Sequence, residues 1–114
     1  MHNHTNSILP FVKQLEKKTS KPGTWVSCID LERYANDVPF NVALFTVEAN
    51  GESITDVHRV KEIWLIQSGL GMLEYNNQCG YVKEGDILFF DSFKTHKIIN
   101  HSLNDIRILS IWWS

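Results

Sequence analysis

Apolar and polar residues alternate with a period of two along most of the chain, and that alternation predicts strands. It is clear from Phe40 to Ala49, where Val42, Leu44, Thr46 and Glu48 share one face and Ala43, Phe45 and Val47 the other. Trp25 to Leu31 alternates in the same way, and further strands are predicted at 54–58, 62–67, 70–76, 79–83, 86–91, 95–100 and 105–113. Turn-forming residues separate them, among them Asn36-Asp37-Val38-Pro39, Asn50-Gly51, Gly69-Leu70-Gly71, Asn76-Asn77-Gln78 and Glu84-Gly85-Asp86. Many short strands at even spacing argue for an antiparallel sandwich or barrel. The N-terminal part reads differently. After a polar stretch with His2 and His4, read as a frayed terminus, Ser7 is a candidate cap, and Ile8, Phe11, Val12 and Leu15 recur at helical spacing. Pro10 suits a first turn, and Lys17 and Lys18 suit a C-terminal end. A short helix is therefore expected, ended by Ser20-Lys21-Pro22-Gly23, with residues 1–24 a tail and helix packed on a barrel of residues 25–114.

Length and composition narrow the function classes. A chain of 114 residues holds one core and one domain. Its net charge of -2 gives no electrostatic reason to expect nucleic acid or an anionic membrane surface as partner. Cys28 and Cys79 lie too far apart for a CxxC redox or zinc motif. No secretory signal and no apolar stretch of transmembrane length is visible, so a cytoplasmic protein with reduced thiols is expected.

The candidate chemistry sits in two stretches. In the first, Gly51 to Gly69, Asp56 and His58 are two apart and point to the same side of a strand. Glu62 follows at a distance that one tight connection folds back beside them, and it opens the apolar run Ile63 to Gln67. The second stretch, Gly85 to Asn100, offers His96. By parity, an inward Glu62 carries Trp64 and Ile66 inward, and an inward His96 carries Ile98. In the strand at 40–49 either Phe45 or the Leu44/Thr46 set could line the same space. His101 has the opposite parity to His96 and is expected at solvent or an edge.

These stretches resemble the two motifs of the cupin superfamily. The first cupin motif runs Gly, five residues, His-x-His, three or four residues, Glu, six residues, Gly. The chain offers Gly51, Asp56-Val57-His58, Glu62 and Gly69, with four residues rather than five before Asp56, and with Asp56 at the usual first histidine. The second motif runs Gly, five residues, Pro-x-Gly, two residues, His, three residues, Asn. It is matched by Gly85, Asp91-Ser92-Phe93, His96 and Asn100, with Asp91 and Phe93 in place of the Pro and Gly. The resemblance implies an all-β, double-stranded β-helix (jelly-roll) barrel, with Asn100 a structural position. It also implies a metal held by Asp56, His58, Glu62 and His96, with Glu62 and His58 the candidates for catalytic work.

Two imidazoles and two carboxylates suit Fe(II), Mn(II), Ni(II), Co(II) or Zn(II), and the oxygen ligands favour the harder iron and manganese. Trp64, Ile66, Ile98 and Phe45 are then the expected walls of a small-molecule pocket. The expected function is metal-dependent chemistry on a small organic molecule, with non-haem Fe(II) oxygenation first. A redox-neutral isomerase, epimerase, cyclase or lyase on a sugar or polyketide-like substrate is the alternative. A binding domain with a degenerate metal site comes third, since Asp56 departs from the pattern. Trp112 and Trp113 must face opposite sides of a strand, and small cupins of this kind are commonly homodimers, so one tryptophan is expected at an interface.

Overall fold

The computed structural model describes residues 9–114. Nine strands run in chain order: β1 Lys18–Lys21, β2 Thr24–Cys28, β3 Asn41–Val47, β4 Lys61–Ser68, β5 Leu70–Tyr75, β6 Gln78–Lys83, β7 Ile87–Phe90, β8 His96–Ile99 and β9 Ile106–Trp113. A six-stranded sheet in the order β1-β2-β3-β9-β4-β7 faces a three-stranded sheet in the order β6-β5-β8. All their pairings are antiparallel. The fold is the jelly-roll barrel that the alternation and the motifs led us to expect.

Period-two patterning decides what lies between the sheets. Along β3 the inward residues are Ala43, Phe45 and Val47, which settles the face left open by the sequence. Ala43 and Val47 are buried, and Phe45 packs on Trp64. Along β4 the inward residues are Glu62, Trp64 and Ile66, and along β9 Ile106, Ile108 and Ser110. Val47, Trp64, Ile66, Val82, Phe90, Ile98, Ile106 and Ile108 close one end as a packed core. The other end stays open, because Glu62, His96 and Ser110 replace apolar residues in those same inward rows.

Gly69 carries the chain from one sheet to the other between β4 and β5. Its φ of +100° lies in the left-handed region, and an added Cβ would sit 2.7 Å from the Asp105 carbonyl oxygen and 2.8 Å from Ile106 Cα. Only glycine meets both demands. Phe93, at the position of the second motif's glycine, takes a φ of 60° although it carries a bulky side chain. Asn100 is fully buried; its side-chain amide donates to the carbonyls of Val47 and Asn104 and its oxygen accepts from Ser102, a structural tie between loops.

Two expectations about local structure are corrected. The helix expected from Ser7 to Lys18 does not form over its described part, where residues 9–17 hold one isolated bridge, at Gln14, and β1 begins at Lys18. Gln14 instead bridges Ile29, the Leu15 amide donates to the Cys28 carbonyl, and Ser27 Oγ donates to the Leu15 carbonyl. The C-terminal end of β2, beyond its pairing with β1, offers backbone partners to this segment, and Phe11 and Leu15 stay exposed. The strand expected at 54–58 is reduced to a single isolated bridge, Asp56 with His96. A short 3-10 turn at Leu31–Arg33, which no pattern announced, leads towards β3. Cys28 and Cys79 are both exposed and unpaired. No helix among the described residues is long and apolar enough to cross a membrane.

Candidate metal centre

The open end of the barrel holds a cavity of about 320 Å³. Asp56, His58, Glu62 and His96 all line it, although they come from a loop, β4 and β8. Asp56 is brought there by its backbone: its amide donates to the His96 carbonyl and the His96 amide donates back, at 2.9 and 3.0 Å. One donor atom each from Asp56, His58 and His96 lies within 4.8 Å of the others.

Glu62 is the hub. Its Oε1 stands 3.3 Å from His58 Nε2 and 3.1 Å from His96 Nε2. Its Oε2 accepts hydrogen bonds from Trp64 Nε1 at 2.8 Å and from Ser110 Oγ. Burial pushes the Glu62 carboxyl up, but the hydrogen bonds from His96, Ser110 and Trp64 outweigh it and hold the group below the usual carboxylate range. The two oxygens therefore have separate duties. Oε2 is fixed by donors from its own β4 and from β9, which leaves Oε1 directed between the two imidazoles.

The rings are oriented from behind. His58 Nδ1 lies 3.0 Å from the Val60 carbonyl oxygen, and His96 Nδ1 lies 3.4 Å from that of Lys94. Without a cation, Nε2 of His96 is the donor to Glu62 Oε1; the tautomer that a cation would select has Nδ1 as the donor to those carbonyls and frees each Nε2 lone pair. His96 is 2% exposed and stacks on Phe90 with centroids 4.2 Å apart and planes 1° from parallel. Trp64 meets it edge-on at 5.5 Å. In that Nδ1-protonated tautomer two nitrogen lone pairs and a carboxylate oxygen would converge with no proton among them, and the Asp56 carboxylate lies within 4.8 Å of a donor atom of each histidine. That donor set fits a divalent cation, whose charge the two carboxylates balance.

Of the four expected pocket residues, Trp64 and Phe45 line the cavity. Ile66 and Ile98 share the inward faces but sit deeper, in the packed core below its floor. Parity gave their face and not their depth: each step of two along a strand moves about 7 Å down the barrel. Residues not singled out from the sequence also matter. Ser110 is a small hydroxyl at inward parity in the apolar run Ile106-Arg107-Ile108-Leu109-Ser110-Ile111, a signal present in the sequence. Phe90 and Trp112 had the right parity, but nothing local distinguished them from other core aromatics. His101 is exposed, as its parity suggested.

Residues 43–112 match the family model described as "Cupin domain". Among solved structures, a protein from Photorhabdus luminescens superposes with a TM-score of 0.78 at 19% identity, over 93% of this chain and 89% of that one. A predicted oxalate decarboxylase from Thermotoga maritima gives 0.72 at 22% identity, over 90% and 92%. A sugar phosphate isomerase of the cupin superfamily from Silicibacter pomeroyi gives 0.70 at 16% identity, over 90% and 71%. At these identities the likeness is one of fold, and activities so different on one barrel leave the chemistry to the site. With the family model spanning more than half of its length, and two imidazoles and two carboxylates gathered at the barrel mouth, the chain belongs to the cupin family.

Proposed function

We propose that this cupin is a metal-dependent enzyme acting on a small organic molecule, with non-haem Fe(II) oxygenation as its chemistry. The observation that carries the reading is the convergence of His58 Nε2, His96 Nε2 and Glu62 Oε1, with Asp56 beside them, at the wall of an open cavity. Two imidazoles and a carboxylate on one side of a metal, with room opposite, are what Fe(II) oxygen chemistry uses. The two carboxylates favour Fe(II) or Mn(II) over Ni(II) or Zn(II). A bound metal of this kind supplies Lewis acidity and, as iron, redox chemistry with dioxygen.

The chain's own residues hold and shield. Ser110 and Trp64 fix one oxygen of Glu62, so that the carboxylate meets a cation through the other. Phe90 and Trp64 keep the His96 ring from turning. Val26, Ala43, Phe45 and Trp112 give apolar walls that exclude water from the reacting end of a substrate. The test is oxygen uptake by Fe(II)-loaded protein across a panel of small aromatic and polyol compounds. Substrate-dependent uptake that His58→Ala abolishes supports oxygenation. Turnover without uptake, read by NMR of the mixture, overturns it in favour of the isomerase or lyase reading. Failure to take up any metal sinks both.

We also propose that the protein works as a homodimer in the cytoplasm. Support for the dimer comes from the outward face of the larger sheet, where cross-strand register builds two uncharged rows. These are Leu44-Leu109-Leu65-Ile87 and Val42-Ile111-Ile63-Phe89. Ile87 and Phe89 are 70% and 51% exposed. Trp113 extends that face, while Trp112 turns to the cavity. A second copy packed sheet on sheet would cover both rows. Sedimentation velocity should give a dimer that Ile63→Lys converts to monomer, and a monomeric wild type refutes the dimer.

A further inference from the structure

The charges around the cavity set a limit on what it accepts. Among the described residues, no lysine or arginine side chain lines it, and residues 1–8 contain neither type. Three nearby lysines are paired elsewhere. Lys21 and Lys97 both bind Glu52, at 2.8 and 3.1 Å, and Lys61 pairs with Asp91 at 3.5 Å. Arg107 lies on the outward face of β9, beside Trp25 and Thr46, and Arg59 is exposed. Among the described residues, the only acidic side chains in the wall are Asp56 and Glu62, so a divalent metal there would already be neutralised. Beyond the four candidate ligands, the described lining residues are apolar, aromatic or hydroxyl-bearing.

We infer that the substrate is an uncharged, single-ring molecule that meets the metal through oxygen and carries no phosphate or remote carboxylate. This rests on the metal-enzyme reading given above and narrows it. An anionic group away from the metal would leave water for walls that offer it no cation, a desolvation cost that no ion pair offsets. A neutral ring loses nothing of that kind and gains contact with Phe45, Trp64 and Trp112. The volume of about 320 Å³ is at the small end of ligand pockets and suits one ring with short substituents. Sugar phosphates, whose phosphate would stand away from the metal, are excluded on this ground.

Calorimetry with protocatechuate and protocatechuamide tests the inference. Both are catechols that offer the same vicinal hydroxyls to a metal, and they differ only in a carboxylate against a carboxamide at the far side of the ring. The protein is loaded with zinc, which has no redox step to consume either probe, and its metal content is measured separately. The amide should bind at least about tenfold tighter than the carboxylate at neutral pH. Equal affinity, or tighter binding of the carboxylate, overturns the inference, and so does failure of both to bind at millimolar concentration. A protein without zinc defeats the metal reading instead, while the ranking of the two probes on it still decides the charge preference of the cavity.

Discussion

Removing one hydroxyl, Ser110→Ala, probes the device that holds the site together. Ser110 Oγ donates to Glu62 Oε2, and both residues are buried, at 3% and 8% exposure. A hydrogen bond to a charged group contributes about 1.5–3 kcal/mol, and a buried carboxylate left short of a donor loses the upper part of that range. Trp64 Nε1 still serves the same oxygen at 2.8 Å, so the expected loss is about 2 kcal/mol rather than 3. With a denaturant slope of about 2 kcal/mol/M for a domain of this size, the urea midpoint should fall by about 1 M. The metal-free protein is the sample for this measurement, so that ligand binding does not mask the change. A second background sharpens it. In Glu62→Met there is no carboxylate for Ser110 to serve, so the same substitution should then cost less than about 0.5 kcal/mol. An unchanged midpoint in the first case, or an equal loss in both, would show that Ser110 is only a packing residue.

Three further outcomes follow from the fold. Gly69→Ala forces a side chain into the left-handed region and against the backbone of Asp105 and Ile106, and should cost about 2–5 kcal/mol by thermal or urea unfolding. A neutral result would mean that the corner between the sheets is not as drawn. Phe93→Gly relieves a φ of 60° at a side chain that is 65% exposed, so it should stabilise by up to about 1 kcal/mol despite the added freedom of the unfolded chain; a lower melting temperature contradicts this. Glu52 is held below the usual carboxylate range by hydrogen bonds from Lys21 and then Lys97. Its contribution is thus complete above about pH 4.3 and lost as pH falls through the lower folded value. Glu52→Gln should flatten the decline of the urea midpoint between about pH 5 and pH 3, and an unaltered slope argues against the lysine pairing.

Much of this molecule was readable before any coordinates. Period-two alternation placed β2 to β9 because strands such as β3, β4, β8 and β9 turn one face inward, and motif spacing brought Glu62, His58 and His96 to one end of the barrel. What failed did so for identifiable reasons. Leu15 and Phe11 have helical spacing, yet the end of β2 beyond its pairing with β1 offered backbone partners that a frayed helix could not match. Residues 54–58 alternate as a strand does, but only Asp56 reaches β8, so the segment remains a loop that carries two of the candidate ligands. Ile66 and Ile98 were placed on the right face and at the wrong depth. Ser110 and Phe90 act through partners on other strands, and no local pattern names a partner.

The anomalous difference map of a crystal grown with a divalent metal addresses the metal centre most directly. The expected result is a single strong peak beside His58 Nε2, His96 Nε2, Glu62 Oε1 and the Asp56 carboxylate, absent from crystals of His96→Ala. A map with no peak there in excess metal, or with the peak retained in the variant, would contradict the assignment of these four side chains.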